Sequence, residues 1–364
     1  MKHKLLFSVF LSLFFFQLSL VLEVSAQSGK VDAYIKSEMQ RQNIPGLSLA
    51  VVKEGKVIKA KGYGLANVET NVPVTTETVF KIGSISKPII AEGIMLLVEE
   101  GKISLDDKVG KYLEDTPESW KDITVRHLLS HTSGIIREAP GFNPTKTIPD
   151  ADLIKTAYNA PLLFTPGEKF EYCNVGYFSL AEIIRKISGK SWGDFLRERI
   201  FIPSGMNATR TTTFSEIVLN RSNGYSLENG KLQNNGVTIA LRPSGAFLST
   251  ISDLAKWEAT LNSSNSLKPE TRTMMWTPFK FNNGTNSGYA FGWRVDEVKG
   301  KKRIHHGGAL DGFRSEYARF VDDKITVIVL TNLDNAKPMD ISVGVAGFYI
   351  PALAQTSVKT ALLN

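Results

Sequence analysis

Cysteine is nearly missing from this chain of 364 residues. Cys173 stands alone, so no disulfide can close within the chain and no thiolate cluster can hold a structural zinc or an iron–sulfur centre. Beyond Leu22 no apolar run is long enough to cross a bilayer; the stretch from Ile341 to Ala354 is short, broken by Pro351, and reads as a helix packed on a core. Repeats, low-complexity tracts and long linkers are also absent, which leaves no sign of a second independently folding module. Charge of neither sign is concentrated. The 43 Lys and Arg against 36 Asp and Glu give a formal charge of +7 spread along the chain, so nothing demands nucleic acid as a partner. What remains is an ordinary globular balance, 42% hydrophobic and 22% charged, which excludes disorder, collagen and coiled coil.

The first residues carry an address. Lys2 and Lys4 precede an apolar run from Leu5 to Leu22, followed by Val24-Ser25-Ala26, small residues where a signal peptidase would cut. Residues 1–26 therefore read as a secretory signal, with the mature chain from residue 27 secreted or periplasmic and free of a membrane span. The alternative is an uncleaved anchor, because the run is about as long as the shortest spanning helix.

Hydrophobic spacing divides the rest. Val31, Ile35 and Met39 recur at helical period, Asn43 to Gly46 breaks the pattern, and Leu47, Leu49 and Val51 then alternate as in a strand. Glu54-Gly55-Lys56 turns into a second strand-like run from Val57 to Tyr63. From Ile85 to about Trp257 the pattern is helical and loop-like, with helices expected at Ile85–Ile103, Asp106–Leu113, Val125–Leu129, Ala151–Tyr158 and Phe178–Ile187. Strand signals return at Tyr289–Val298, Glu316–Val321 and Lys324–Leu330, and a helix from about Met339 follows. The expected fold is α+β, an α/β sandwich: one antiparallel sheet built from both termini, flanked by helices, with an inserted mainly helical lobe. Residues 27–364 then form a single domain, its sheet lobe at about 27–80 and 285–364 and its helical lobe at about 81–284. A cleft between the lobes is the natural ligand site.

Chemistry enters at Ser84-Ile85-Ser86-Lys87, where a loop meets an apolar helix. Ser84 and Lys87 lie one turn apart on one face, close enough to exchange a proton. A serine hydroxyl needs a base, and lysine serves only if burial or a neighbouring cation lowers its pKa. The helix N-terminus adds the free N–H of Ser84 and a dipole aimed at an oxyanion forming there. Taken alone, S-x-x-K is common and equally a helix cap. Further along, Tyr172-Cys173-Asn174 follows a Pro166-Gly167 turn, and His306-Gly307-Gly308 precedes the strand-like Glu316–Val321 region.

In that order these residues resemble the active-site set of the serine β-lactamase and penicillin-binding-protein family: S-x-x-K, then Y-x-N, then a strand carrying K-T-G or H-x-G. The likeness covers nearly the whole mature chain and extends to LLSHTSG (Leu128–Gly134), TPGEKFEYCNVGY (Thr165–Tyr177) and HGGALDGF (His306–Phe313). The motif spacing is similar to the class C β-lactamase, D-alanyl-D-alanine carboxypeptidase and esterase branch; without an S-D-N motif, class A is a poor match. The resemblance implies a β-lactamase/transpeptidase-like fold and a serine hydrolase with no metal or organic cofactor. Its substrate would be a small molecule or peptide, D-Ala-D-Ala-type peptides from peptidoglycan and β-lactams among them.

By the same resemblance Ser84 is the nucleophile and Lys87 its base or relay. Tyr172 is a second base whose phenol neighbouring positive charge must shift down. Asn174 would orient the substrate amide and Lys87, and His306 would hold a substrate carboxylate or pass a proton. The backbone N–H groups of Ser84 and Ala309 would form the oxyanion hole. Gly307 and Gly308 would let substrate approach the strand closely. Two departures stand out. Cys173 sits where the family has a small Ser or Ala, and reads as a buried inert thiol. Histidine in place of the third-motif lysine removes a permanent cation, which argues against strong β-lactamase activity.

Other readings carry less. His127 and His131 have the spacing of a zinc helix but lack the Glu of H-E-x-x-H, and the LLSHTSG likeness accounts for them. An α/β-hydrolase would need a G-x-S-x-G elbow between a strand and a helix, and that class is set aside. Within the family the alternatives are a peptidase, a β-lactamase, an esterase for small acyl groups, and a non-enzymatic penicillin-binding module that acylates without turnover.

Overall fold

The structure, a computed structural model, describes residues 27–354 except 139, 142, 144, 145, 147, 214, 236–241, 246, 264 and 265. The expected signal segment lies outside the described residues. Among these, no helix is long and apolar enough to cross a membrane.

The chain opens with helix α1 (27–42), ended where Asn43 takes a positive φ of 55°. Strand β1 (Gly46–Lys53) follows and folds back through Glu54 and Gly55, both at positive φ, into β2 (Lys56–Asn67). β1 is buried along both faces. Leu47, Leu49 and Val51 join the cluster under α1, while Ala50 and Val52 face the helical side. The period-2 alternation therefore sends successive side chains to opposite layers. A short β3 (Val72–Pro73) edges β2.

The chain then leaves the sheet. β4 (Phe80–Lys81) delivers it to α2 (Ser86–Glu99), buried almost all round and closed by Gly101 at φ 68°. The helical side continues with α3 (Val125–Leu129), α4 (Asp150–Thr156), α5 (Asn174–Ser188), α6 (Trp192–Leu196), α7 (Ile251–Leu261) and α8 (Pro269–Trp276). A small hairpin, β5 (Tyr225–Glu228) with β6 (Lys231–Asn234), and β7 (Leu248–Ser249), paired with β4, interrupt it. The helix expected at Asp106–Leu113 is only a 3-10 turn at Val109–Lys111, because the Val109 N–H bonds Ile123 across the loop.

The sheet is completed by β8 (Arg294–Val298), β9 (Lys301–Leu310), β10 (Phe313–Phe320) and β11 (Ile325–Thr331), and α9 (Pro338–Ala346) then returns to the face covered by α1. Seven strands run in the order β3-β2-β1-β11-β10-β9-β8, with β11 pairing antiparallel to β1. The two ends of the chain thus meet mid-sheet, and the fold is α+β with one large antiparallel sheet between layers of helix.

β9 is the element that periodicity missed. Lys301-Lys302-Arg303 and the His-His-Gly-Gly run lack an apolar alternation, and the burial of Arg303 and His305 is made possible by partners: Arg303 bonds Asp296 at 2.9 Å and His305 bonds Glu316 at 2.7 Å. β8 begins opposite His305, so β9 from His306 onward is paired only with β10 and leaves one edge open.

Candidate active site

Ser84 sits in the 3-10 turn Gly83–Ile85 that feeds directly into α2. Gly83 has φ 55°, and a Cβ there would come within 2.7 Å of the Ala309 nitrogen, so glycine lets the Ser84 turn press against β9. One turn into α2, Lys87 is fully buried; its Nζ lies 3.1 Å from Ser84 Oγ and donates to the Ser244 carbonyl at 2.8 Å. Burial holds the amine well below the ordinary lysine range, the Glu138 charge opposing and Arg137 assisting.

Tyr172 is delivered by a segment tied to the Leu128–Gly134 stretch. Gly167 N–H bonds Thr132 and Glu171 N–H bonds His131, while His131 Nδ1 accepts the Cys173 N–H at 3.0 Å and its ring lies 4.4 Å from that of Tyr172. The two family-like stretches are therefore each other's scaffold; His131 gives its Nδ1 to this contact, while its Nε2 is buried without a partner. His127 caps α3 through its Nδ1. Among the described residues no group of three or more His, Cys, Asp or Glu side chains surrounds either histidine as a metal site would.

The Tyr172 phenol lies on the same cleft wall as Ser84, whose hydroxyl lowers its pKa, and the Lys87 amine is 4.6 Å from its ring centre. Its pKa corrects the sequence expectation. Burial pushes it up to about 12, outweighing the lowering by Ser84, Arg294 and Arg137. Cys173 is a buried thiol that caps α5, accepting from Gly176 N–H at 3.2 Å and donating to Ile136 at 3.2 Å; burial pushes it up to about 12 as well.

Asn174 is placed differently from the expectation. Its Nδ2 donates to Glu138, no bond joins it to Lys87 among the described residues, and its Oδ1 is buried without a partner. His306 also departs. Nδ1 lies 2.7 Å from the Gly307 carbonyl, which can only accept, so that nitrogen carries the proton and Nε2 accepts from the Tyr289 hydroxyl at 3.0 Å. Burial, then the Lys87 charge, holds its pKa well below the ordinary range. With both nitrogens engaged and the ring neutral, His306 does not offer a charge for a carboxylate.

Gly307 and Gly308 line the cleft, but their small size has another cause. A Cβ on Gly308 would fall 2.0 Å from the Ile82 carbonyl, and one on Gly307 would meet Glu316 Oε2 at 3.0 Å on the opposite face of the sheet. Gly308 thus allows β9 to seat on the Ser84 turn, an arrangement locked by Ser315 Oγ donating to Ile82 at 2.9 Å.

All the sequence-derived residues except Lys87 border one cavity of about 720 Å³: Ser84, Tyr172, Asn174, His306, Gly307, Gly308 and Ala309. Arg137, Glu138, Ser244 and Arg294 share its wall, and Tyr289 stands behind His306. Sequence reasoning did not single out these five as site residues, since each acts through a tertiary contact that no motif announces; Tyr289 and Arg294 appear there only as part of a strand signal. The pentapeptide Gly189-Lys190-Ser191-Trp192-Gly193 does fit G-x-S-x-G, but it joins two helices, with Ser191 capping α6 through the Asp194 N–H at 3.1 Å; it is no strand-to-helix elbow.

Comparison with known proteins identifies the family and the fold. The family model described as Beta-lactamase matches residues 31–344. The chain is 31% identical over 299 residues to penicillin-binding protein 4* of Bacillus subtilis (strain 168), covering 76% of this chain and 66% of that one. It is 27% identical over 336 residues to a D-aminopeptidase of Brucella anthropi, covering 87% and 62%. It spans less than two thirds of the length of these curated relatives. Among solved structures, the octameric penicillin-binding protein homologue from Pyrococcus abyssi superposes with a TM-score of 0.79 at 30% identity, covering 88% of this chain and 76% of that one. D-amino acid amidase from Ochrobactrum anthropi SV3, complexed with D-phenylalanine, shares the fold with a TM-score of 0.77 at 22% identity, covering 88% and 99%.

Proposed function

The chain belongs to the beta-lactamase family, and from that premise we propose that it is an exported serine hydrolase cleaving a small amide or ester through an acyl-enzyme on Ser84. The observation that carries the reading is the 3.1 Å approach of Lys87 Nζ to Ser84 Oγ in a setting that disfavours the charged amine. An uncharged Lys87 has a lone pair to accept the hydroxyl proton as Oγ bonds the substrate carbonyl carbon. The oxygen of the tetrahedral intermediate lies toward the backbone N–H groups of Ser84 and Ala309, with α2 beginning beneath it. Tyr172, at about 12, holds its proton near neutral pH and serves as donor to the leaving group, recovering the proton from Lys87. Water then attacks the acyl carbon, and the serine is restored. The open edge of β9 supports an extended substrate lying beside Gly307–Ala309. The names of the relatives, a penicillin-binding protein and a D-aminopeptidase, direct the choice of test substrates.

Intact-mass spectrometry after mixing with a penicillin, a D-Ala-D-Ala peptide and a nitrophenyl ester tests the reading. A transient adduct that forms on the wild type and not on Ser84→Ala is expected. Turnover that survives Ser84→Ala overturns it, and an adduct that never hydrolyses identifies a binding module instead.

A further inference from the structure

Two unfavourable features meet at His131. Its backbone stands at φ 58°, a left-handed conformation uncommon outside glycine, and its Nε2 is buried without a partner. Because Nδ1 accepts the Cys173 N–H, the proton of the neutral ring sits on Nε2, and the unpartnered atom is a donor. A residue that only filled the core would be served by an apolar side chain with no stranded N–H. What the histidine secures is a grip on one neighbour. Its carbonyl accepts the Glu171 N–H at 2.9 Å and its Nδ1 accepts the Cys173 N–H at 3.0 Å, so the residues on either side of Tyr172 are tied to the same residue. Between those two bonds the imidazole lies against the Tyr172 ring, centres 4.4 Å apart and planes inclined at 36°. Tyr177 and Tyr289 close its other flanks at 5.1 and 4.8 Å, and each is anchored in turn, Tyr177 on the Leu129 carbonyl and Tyr289 on His306. His131 itself lies outside the cavity wall that Tyr172 borders.

We propose that His131 is the positioning residue of Tyr172: holding the chain on both sides of it and packing on its ring, the histidine aims the phenol O–H at the leaving group without touching substrate. The inference rests on the Ser84 reading and concerns its second proton transfer. As the bond from the acyl carbon to the leaving oxygen or nitrogen breaks, the Tyr172 O–H gives its proton to the departing atom, and Tyr172 takes one back from the Lys87 ammonium. Displacing the phenol therefore harms the expulsion of a basic leaving group and spares one that departs as a stable anion.

The p-nitrophenyl and ethyl esters of acetic acid test it, the first releasing its leaving group without a proton and the second needing one on a far more basic oxygen. His131→Leu removes both the acceptor and the ring. Its kcat/KM should fall by about 100-fold or more on the ethyl ester, the reach of a positioned general acid, and by less than about tenfold on the nitrophenyl ester. Tyr172→Phe should move the ratio of the two in the same direction. Adding His131→Leu to Tyr172→Phe should then lower ethyl-ester cleavage by only about threefold more, because the group being aimed is already gone. Should His131→Leu fold poorly, as judged by circular dichroism, His131→Gly, which accepts φ 58° and lacks the same groups, takes its place in both comparisons. Equal losses on the two esters, or losses that multiply in the double variant, overturn the proposal, since a residue that merely supports the fold would act that way. A wild type that cleaves the nitrophenyl ester and not the ethyl ester also overturns it, there being no proton delivery to position. In each case Ser84-dependent cleavage of the nitrophenyl ester leaves the serine-hydrolase reading standing, whereas cleavage persisting in Ser84→Ala removes that reading itself.

Discussion

The Tyr289 hydroxyl donates to His306 Nε2 across 3.0 Å, and this contact, with the Gly307 carbonyl on the other nitrogen, fixes the imidazole as one neutral tautomer behind the nucleophile. Tyr289→Phe leaves Nε2 as a buried acceptor without a donor. The expected cost is about 1–3 kcal/mol of stability, read from urea unfolding, with a measurable loss of kcat on a nitrophenyl ester. Unchanged stability would mean that the hydroxyl is not satisfying the ring.

Lys87 offers a sharper test. Lys87→Ala removes a buried amine that bonds Ser84 and Ser244, and should fold while losing acylation by about 100- to 10,000-fold, the range for a positioned general base. Burst kinetics with a nitrophenyl ester measure the acylation step directly. A normal burst in the variant would rule out Lys87 as the base.

How much of this was legible in the sequence depends on whether a residue acts locally. Ser84 and Lys87 declare themselves because three residues make one helical turn, and the β1–β2 hairpin does so because Glu54 and Gly55 both adopt positive φ between alternating runs. β9 hides because its burial depends on ion-paired Arg303 and His305, which read as surface residues until Asp296 and Glu316 are placed beside them. Glu138 lies in a loop whose only message is its contact with Asn174, and Tyr289 speaks only through His306. The direction of the Tyr172 shift is hidden from the sequence for a related reason. Motif spacing reveals the cations near the phenol but not how completely its own surroundings exclude water, and burial is the larger effect.

Gly308→Ala tests the seating of β9 on the nucleophile turn. The new Cβ would overlap the Ile82 carbonyl at 2.0 Å and Ser315 Oγ at 2.2 Å, and the first of these is backbone two residues before Ser84. Overpacking of this kind costs about 1–3 kcal/mol. Esterase activity should fall by at least about 100-fold, since the strand that carries Ala309 must move away from Ser84. Wild-type kcat with normal stability would show that the turn has slack.

Cys173 borders the machinery without joining it. Its thiol is pushed up to about 12 by burial and is engaged with Gly176 and Ile136, so iodoacetamide near pH 8 should leave the folded protein unlabelled, as read by intact mass. Cys173→Ser keeps a cap for α5 and should hold kcat/KM within a few-fold. Rapid labelling with loss of activity would move the thiol into the site.

The histidine of the third motif supplies a pH test with a definite sign. In the fold His306 is held well below its ordinary range by burial, so the native state stays unprotonated where the unfolded chain, at about 6.5, begins to take a proton. As pH falls below about 6.5 the unfolded state therefore gains a proton that the native state lacks, and the wild type loses stability through this group. His306→Gln, neutral at every pH, does not. The difference in unfolding free energy between wild type and His306→Gln, whichever is the more stable near pH 8, should shift against the wild type by about 2 kcal/mol on going to pH 5. Other titrating groups cancel in that difference unless they touch the ring, and those that do are Tyr289 and, through charge, Lys87, Arg294 and His305. A shift in the wild type's favour would mean that His306 is protonated in the native protein, and would return it to the carboxylate-holding role that its neutral tautomer excludes.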